Sequence, residues 1–118
     1  MRDDKSRLRD ILKECGRIKD NVSHYGNDRD IFMGSWRYQD NIIVNLERIG
    51  ESAGNISDIL KEEYPGVDWS GIIGMRVTLA HHYWRTDPAI LWEVIEYDIP
   101  ILLVQIQKIL EKMEQDRL

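Results

Sequence analysis

One cysteine, no long apolar run and no excess of basic residues mark this 118-residue chain, and each shortage removes a class of protein. A lone Cys15 builds neither a disulfide framework nor a cysteine-based zinc site, and its apolar helical position suits a reducing cytoplasm. The first ten residues, MRDDKSRLRD, are charged throughout and lead into no apolar stretch, so neither a signal peptide nor a membrane span is expected. The formal net charge of -5 argues against a general nucleic-acid coat protein, because neutralising phosphates takes clustered Lys and Arg. A local basic pocket stays open. The length predicts one domain over residues 1–118, in the cytoplasm and with no membrane partner.

What is present is helical periodicity. Leu8, Ile11, Leu12, Cys15, Ile18 and Val22 recur at the spacing of one helix face, predicting a first helix from about Asp3 to Ser23. A short helical turn near Arg29 to Met33 is expected to stop at Gly34. Ile42, Leu46, Ile49, Ala53, Ile56 and Leu60 alternate in steps of four and three, the seam of an antiparallel bundle. EEYPGVDWSG supplies a Pro-Gly turn and a new start near Asp68, with a helix from about Trp69 to Tyr83. Asp87 and Pro88 read as an N-cap and first helical residue. The last helix is expected to turn Ile90, Leu91, Val94, Ile95, Ile101, Leu102, Ile106 and Ile109 inward, with Pro100 kinking or splitting it after about Tyr97. No strand alternation, repeat or low-complexity tract appears. The charged ends read as solvated helix faces.

One stretch resists this plain reading: GMRVTLAHHYW, Gly74 to Trp84. On an ideal helix Ile72, Met75, Arg76, Leu79 and Tyr83 share a stripe, and Ile73, Val77 and Ala80 form the next one. A helix apolar nearly all round is buried in a core or in a subunit interface. A guanidinium inside such a stripe needs an anion. Either it pairs internally, with Glu51, Asp40 or Asp68 as candidates, or it waits for a phosphate, which its fork of donors matches. His81 and His82 read either as favourable partners of the helix's negative end or as a proton carrier near neutrality. Five residues along a helix turn His81 about 140° from Arg76. Convergence on one atom therefore requires the helix to loosen before His81, or a second subunit to bring its own copy across a two-fold axis.

These residues resemble a known family. RVTLAHHY fits the signature of the HEPN-domain ribonuclease toxins of the HepT type, Arg, four residues, His, any residue, Tyr, as Arg76, His81 and Tyr83. ERIGESA (Glu47 to Ala53), YPGVDWSGIIGMR (Tyr64 to Arg76) and YDIPILLVQI (Tyr97 to Ile106) resemble the family's second helix, its approach to the motif and its proline-bearing last helix, in the right order. The resemblance implies an all-α, up-and-down bundle of four to five helices, assembled as a homodimer with the motif helices near the two-fold. It implies metal-independent RNA cleavage with no cofactor. It also implies a neighbouring nucleotidyltransferase antitoxin that silences the toxin by attaching AMP to the motif tyrosine. Carried over, Arg76 and His81 are catalytic and Tyr83 is the modified residue, with His82 and Glu51 as auxiliary candidates; no DNA partner is implied. One departure is Val77, where many members carry a polar residue after the arginine.

The chemistry expected is attack of a ribose 2′-hydroxyl on the adjacent phosphorus. His81 moves protons and Arg76 holds the non-bridging oxygens, an arrangement worth roughly 3 to 4 kcal/mol of transition-state stabilisation. No carboxylate cluster stands at metal-ligand spacing, in keeping with a metal-free route. The rival class is a helical dimer that only docks a nucleotidyltransferase, with Arg76 and His81 as interface polar groups.

Overall fold

In the computed structural model, capping chemistry sets where each helix begins. The structure describes residues 3–82 and 87–117; the side chains of 76–78, 80–82 and 117 are outside that description. Asp3 accepts from the Ser6 amide and opens α1, Asp4–Tyr25. Asp28 opens α2, Arg29–Met33, by accepting from the Asp30 and Ile31 amides. Ser35, through Tyr38 N–H, opens α3, Trp36–Gly54, and Ser57, through Leu60 N–H, opens α4, Asp58–Glu63. Then come α5, Trp69–His82, and α6, Pro88–Glu93, the latter capped by Asp87 onto the Ala89 amide with Pro88 in the first turn. A wide π turn, Val94–Asp98, joins α6 to α7, Ile99–Arg117. Each cap satisfies amides that no preceding turn reaches. Every described element is helical, so the expected all-α bundle is the fold.

The reversal after α1 depends on Gly26. Its φ of +124° is a conformation that side chains rarely adopt, and an added Cβ would stand 2.9 Å from Ile31 Cδ1. Tyr38 Oη donates to the Gly26 carbonyl at 3.2 Å. Around it, Tyr25 stacks on Tyr38, Phe32 meets Tyr38 edge-on, and Phe32 lies against Trp92. This aromatic knot ties α1, α2, α3 and α6 at one end of the molecule.

The core runs between the helices as the periodicity requires. Leu8, Ile11, Cys15 and Ile18 of α1 meet Ile42, Leu46, Ile49 and Ala53 of α3, all buried, with Leu102, Ile106 and Ile109 of α7 closing the same cluster. α3 packs against both α1 and α5, while α7 lies along α1. Asp4 reaches across to the Ser57 amide and hydroxyl, and Lys5 pairs with Glu114, holding the ends of α1, α4 and α7 together.

Two expectations need correction, and a third takes a definite form. The Ile42-to-Leu60 register is buried throughout, but it is not one helix: α3 stops at Gly54, and the Ser57 cap starts a separate turn that carries Leu60 inward. In the last segment Ile90 and Ile101 are 58 % and 59 % exposed. The extra residue of the π turn rotates the face presented beyond it, so one inward register cannot span both α6 and α7. The break expected after about Tyr97 falls at that π turn, which ends at Asp98 and runs directly into α7; the widened turn accommodates Pro100, which has no N–H to give to the turn before it.

Candidate functional site

The segment that carries Arg76, His81 and His82 is built on a firm start. Trp69 is buried and donates its indole N–H to the Tyr64 carbonyl at 3.0 Å. Asp68 accepts from the Gly71 amide at 3.0 Å, and a Cβ on Gly71 would fall 2.1 Å from that same carboxylate. Gly71 is thus required by the cap. Gln105 of α7 donates to the Gly66 carbonyl at 3.0 Å and pins the approaching loop.

From this start α5 runs unbroken to His82. Of the two routes by which Arg76 and His81 could converge, loosening of the helix before His81 is therefore not taken. The two positions stay about 140° apart around the axis and about 7.5 Å apart along it. The side chains of Arg76, His81 and His82, and the whole of Tyr83, lie outside the described residues, so their mutual contacts are not part of the picture.

The internal partners named for Arg76 are themselves placed. Asp68 is engaged at the N-terminus of α5, eight residues and about 12 Å of helix from Arg76. Asp40 and Glu51 are exposed on α3. Glu51 borders a cleft of about 210 Å³ between α1 and α3, with Arg7, Asp10, Lys13, Glu14, Arg48 and Ser52 around it.

α5 is only partly covered. Leu79 is 1 % exposed, yet Ile72, Ile73 and Met75 are half-buried and Gly71 and Gly74 are exposed. Apolar character is spread nearly evenly around this helix, so packing on α3 leaves a flank uncovered. Beside that flank a recess of about 340 Å³ opens between Ile72 and Met75 of α5 and Ile99, Leu102 and Gln105 of α7.

Sequence reasoning missed a polar network on the opposite flank of α3. Glu14 is 4 % exposed within the α1 core face. Its carboxylate accepts from Arg17 at 2.7 Å, Asn45 at 3.2 Å and Arg48 at 3.5 Å, and Asn21 donates to Asn45 at 3.0 Å. The signal was present: Glu14 stands three residues after Ile11 and four before Ile18, inside an apolar register, as Arg76 does in its own. Among the described residues no group of three or more His, Cys, Asp or Glu side chains comes together as a metal site would, and no helix is long and apolar enough to cross a membrane.

A helical domain whose acid-base candidates sit on one partly covered helix defines a class, that of small all-α domains presenting a polar motif on an apolar helix. The family model described as ribonuclease HepT-like matches residues 11–109, and the chain belongs to that family. It is 31 % identical to the Methanocaldococcus jannaschii protein named "Putative RNase MJ0125", over 97 % of both chains. It is 33 % identical to "Putative RNase TTE0752" of Caldanaerobacter subterraneus subsp. tengcongensis, over 89 % of this chain and 92 % of that protein. It is likewise 33 % identical to "Probable ribonuclease HepT" of Thermococcus cleftensis, over 66 % of this chain and 71 % of that one. No solved structure matches it.

Proposed function

We propose that this chain, a single domain over residues 1–118, is a metal-independent endoribonuclease and the toxin of a cytoplasmic toxin-antitoxin pair. The observation that carries the reading is the ordered set Arg76, His81 and Tyr83 inside the family-matched span. Its active form is a homodimer with the two motif helices near the two-fold axis. Two features support the dimer: the unbroken α5 keeps Arg76 and His81 of one subunit on different sides, and the half-buried Ile72, Ile73 and Met75 leave apolar surface to cover.

The reaction follows from the residue types. The ribose 2′-oxygen attacks phosphorus while one His81 takes the 2′-hydroxyl proton. The phosphorus bond to the 5′-oxygen breaks, and His81 of the partner subunit donates a proton to that leaving oxygen. The products are a cyclic phosphate on the upstream fragment and a free 5′-hydroxyl downstream. Arg76 holds the non-bridging oxygens as negative charge builds, a role whose loss costs about 100- to 1,000-fold in turnover. His82 and Glu51 are auxiliary. A cognate nucleotidyltransferase neutralises the toxin by placing AMP on Tyr83, setting a bulky anion beside Arg76 and excluding RNA from the phosphate site.

The test is cleavage of a single-stranded RNA and a tRNA pool with metal chelated, comparing the chain with His81→Ala and Arg76→Ala after confirming that all three are folded. Cleavage by the unmutated chain alone, with loss of about 100-fold or more in His81→Ala, is the expected outcome. If the unmutated chain is as inert as the variants, the reading fails in favour of a helical dimer that only docks a nucleotidyltransferase.

A further inference from the structure

We infer that the polar seam between α1 and α3 is a seat for the RNA sugar-phosphate backbone, with Arg17 and Arg48 as its phosphate ligands and buried Glu14 as the residue that positions them. This rests on the ribonuclease reading above. The two arginines reach one carboxylate from different helices, each through a single nitrogen, Nη1. Their side chains remain 43 % and 54 % exposed. A guanidinium carries five donors in a rigid fork, so most of each fork is left facing outward, held in place by its one buried contact.

The surroundings are those of a binding recess. Arg17 and Arg48 border an open hollow of about 410 Å³ with Asn21, Asn41, Asn45, Val44 and Asp20. Asn45 is itself buried and hydrogen-bonded on both sides, to Glu14 and Asn21. Amides and guanidinium groups suit phosphate and sugar oxygens, and the single exposed acid at this hollow, Asp20, shares its lining with two arginines. Farther along α1, ten residues and about 15 Å from Arg17, the neighbouring cleft carries Asp10, Glu14 and Glu51 beside Arg7, Lys13 and Arg48, so the stretch suited to phosphate is the one that Arg17 and Arg48 border.

The placement fits an approach path. α3 forms one wall of the seam and is also the helix on which α5 packs. A strand lying in the seam has the width of one helix, about 10 to 12 Å, between it and the segment bearing Arg76 and His81. In an acidic chain, two arginines braced by a buried carboxylate supply local phosphate recognition that the net charge hides.

The experiment measures binding of a fluorescent single-stranded RNA by anisotropy, across a salt series, in a His81→Ala background so that nothing is cut. Arg17→Ala with Arg48→Ala is compared with Arg29→Ala with Lys108→Ala, which removes the same charge from exposed positions elsewhere. The seam pair is expected to weaken binding about tenfold or more and to reduce the salt slope by about 1.4, two phosphates at about 0.7 each; the control pair is expected to leave the slope within about 0.5. Equal losses in both pairs, or none in the seam pair, overturn the seat. Should the alanine pair fail to fold, Arg17→Lys with Arg48→Lys keeps the charge opposite Glu14 but not the fork, and an unchanged affinity there overturns it as well.

Glu14→Gln gives a test of sign. Removing a carboxylate tightens RNA binding if only Coulomb forces matter, and weakens it if Glu14 aims the two forks. Tighter binding therefore overturns the positioning role. Cleavage by the unmutated chain is measured alongside: normal cleavage with unaffected binding in the seam pair rejects the seat alone, whereas a chain that neither cuts nor binds RNA rejects the ribonuclease reading and the seat together.

Discussion

Leu79→Ala is the substitution that most directly tests how α5 is held. Leu79 is 1 % exposed, three residues after Arg76 and two before His81, and buried Trp69 anchors only the other end of the helix. Truncating a leucine this buried costs its transfer energy plus the cavity left behind, about 3 to 5 kcal/mol. A domain of this length has roughly 6 to 18 kcal/mol of stability. At the low end about 1 to 3 kcal/mol remains, so about 85 to 99 % of molecules stay folded at 25 °C. With about 2.1 cal/mol/K per residue of unfolding entropy, a 3 kcal/mol loss lowers Tm by about 12 °C. Urea unfolding reads the stability, with a lower midpoint and unchanged slope expected. RNA cleavage at 25 °C reads the placement, since a misplacement of about 1 Å in a catalytic group can cost about 100-fold. A stability loss under about 1 kcal/mol would show that Leu79 does not anchor the helix. A full stability loss with cleavage per folded molecule unchanged would show that α5 packing does not govern the chemistry.

Burial, and secondarily the Glu14 carboxylate, pushes the Cys15 thiol from 9.0 up to about 12. The native state therefore keeps the thiol protonated, and this contribution is complete below pH 9 and lost as pH rises from about 9 to about 12. Between pH 8 and 10 the unmutated chain should lose on the order of 1 kcal/mol more than Cys15→Ala does, read by urea unfolding at each pH; parallel curves would refute the shift. Labelling of Cys15 by iodoacetamide at pH 8 should follow global opening and so accelerate with urea, whereas labelling indifferent to urea would place the thiol at the surface. Ser57→Ala removes the cap of α4 and the hydroxyl contact to Asp4, and should cost about 1 kcal/mol in the same assay; a change within about 0.3 kcal/mol would mean that α4 is held by Leu60 alone.

Hydrophobic spacing made the core faces of α1 and α3 legible, because a half-buried helix must repeat its apolar residues every three or four positions. The Asp87 cap and the proline that follows it were equally local, and so equally readable. What spacing could not read was where a register changes helix. Ile56 and Leu60 continue the α3 pattern, yet Gly54 and Ser57 end one helix and begin another without breaking it. Ile90 and Ile101 fit a continuous inner face only if α6 and α7 wind as one, and the π turn from Val94 to Asp98 removes that condition. The aromatic knot of Tyr25, Phe32, Tyr38 and Trp92 joins positions far apart in the chain, and no local pattern announces such a meeting.

The candidate site shows the same division between local and distant information. A polar or charged residue inside an apolar register is a local signal, and it singled out Arg76; applied evenly, it also singles out Glu14 and Asn45, each flanked by isoleucines three before and four after. What the signal does not supply is the partner. For Glu14 the partners come from two helices, Arg17 one turn away and Arg48 and Asn45 across the seam, and together they use most of its acceptor capacity. A buried carboxylate met by that many donors is stable where it stands, and the excess of donor over acceptor then falls on the arginines at the surface. Charge inside an apolar register thus marks a demand for a partner, and the identity of the missing partner is read from whichever side of the pair is left with unused valence. At the α1/α3 seam that side is the guanidinium, and its complement is an anion.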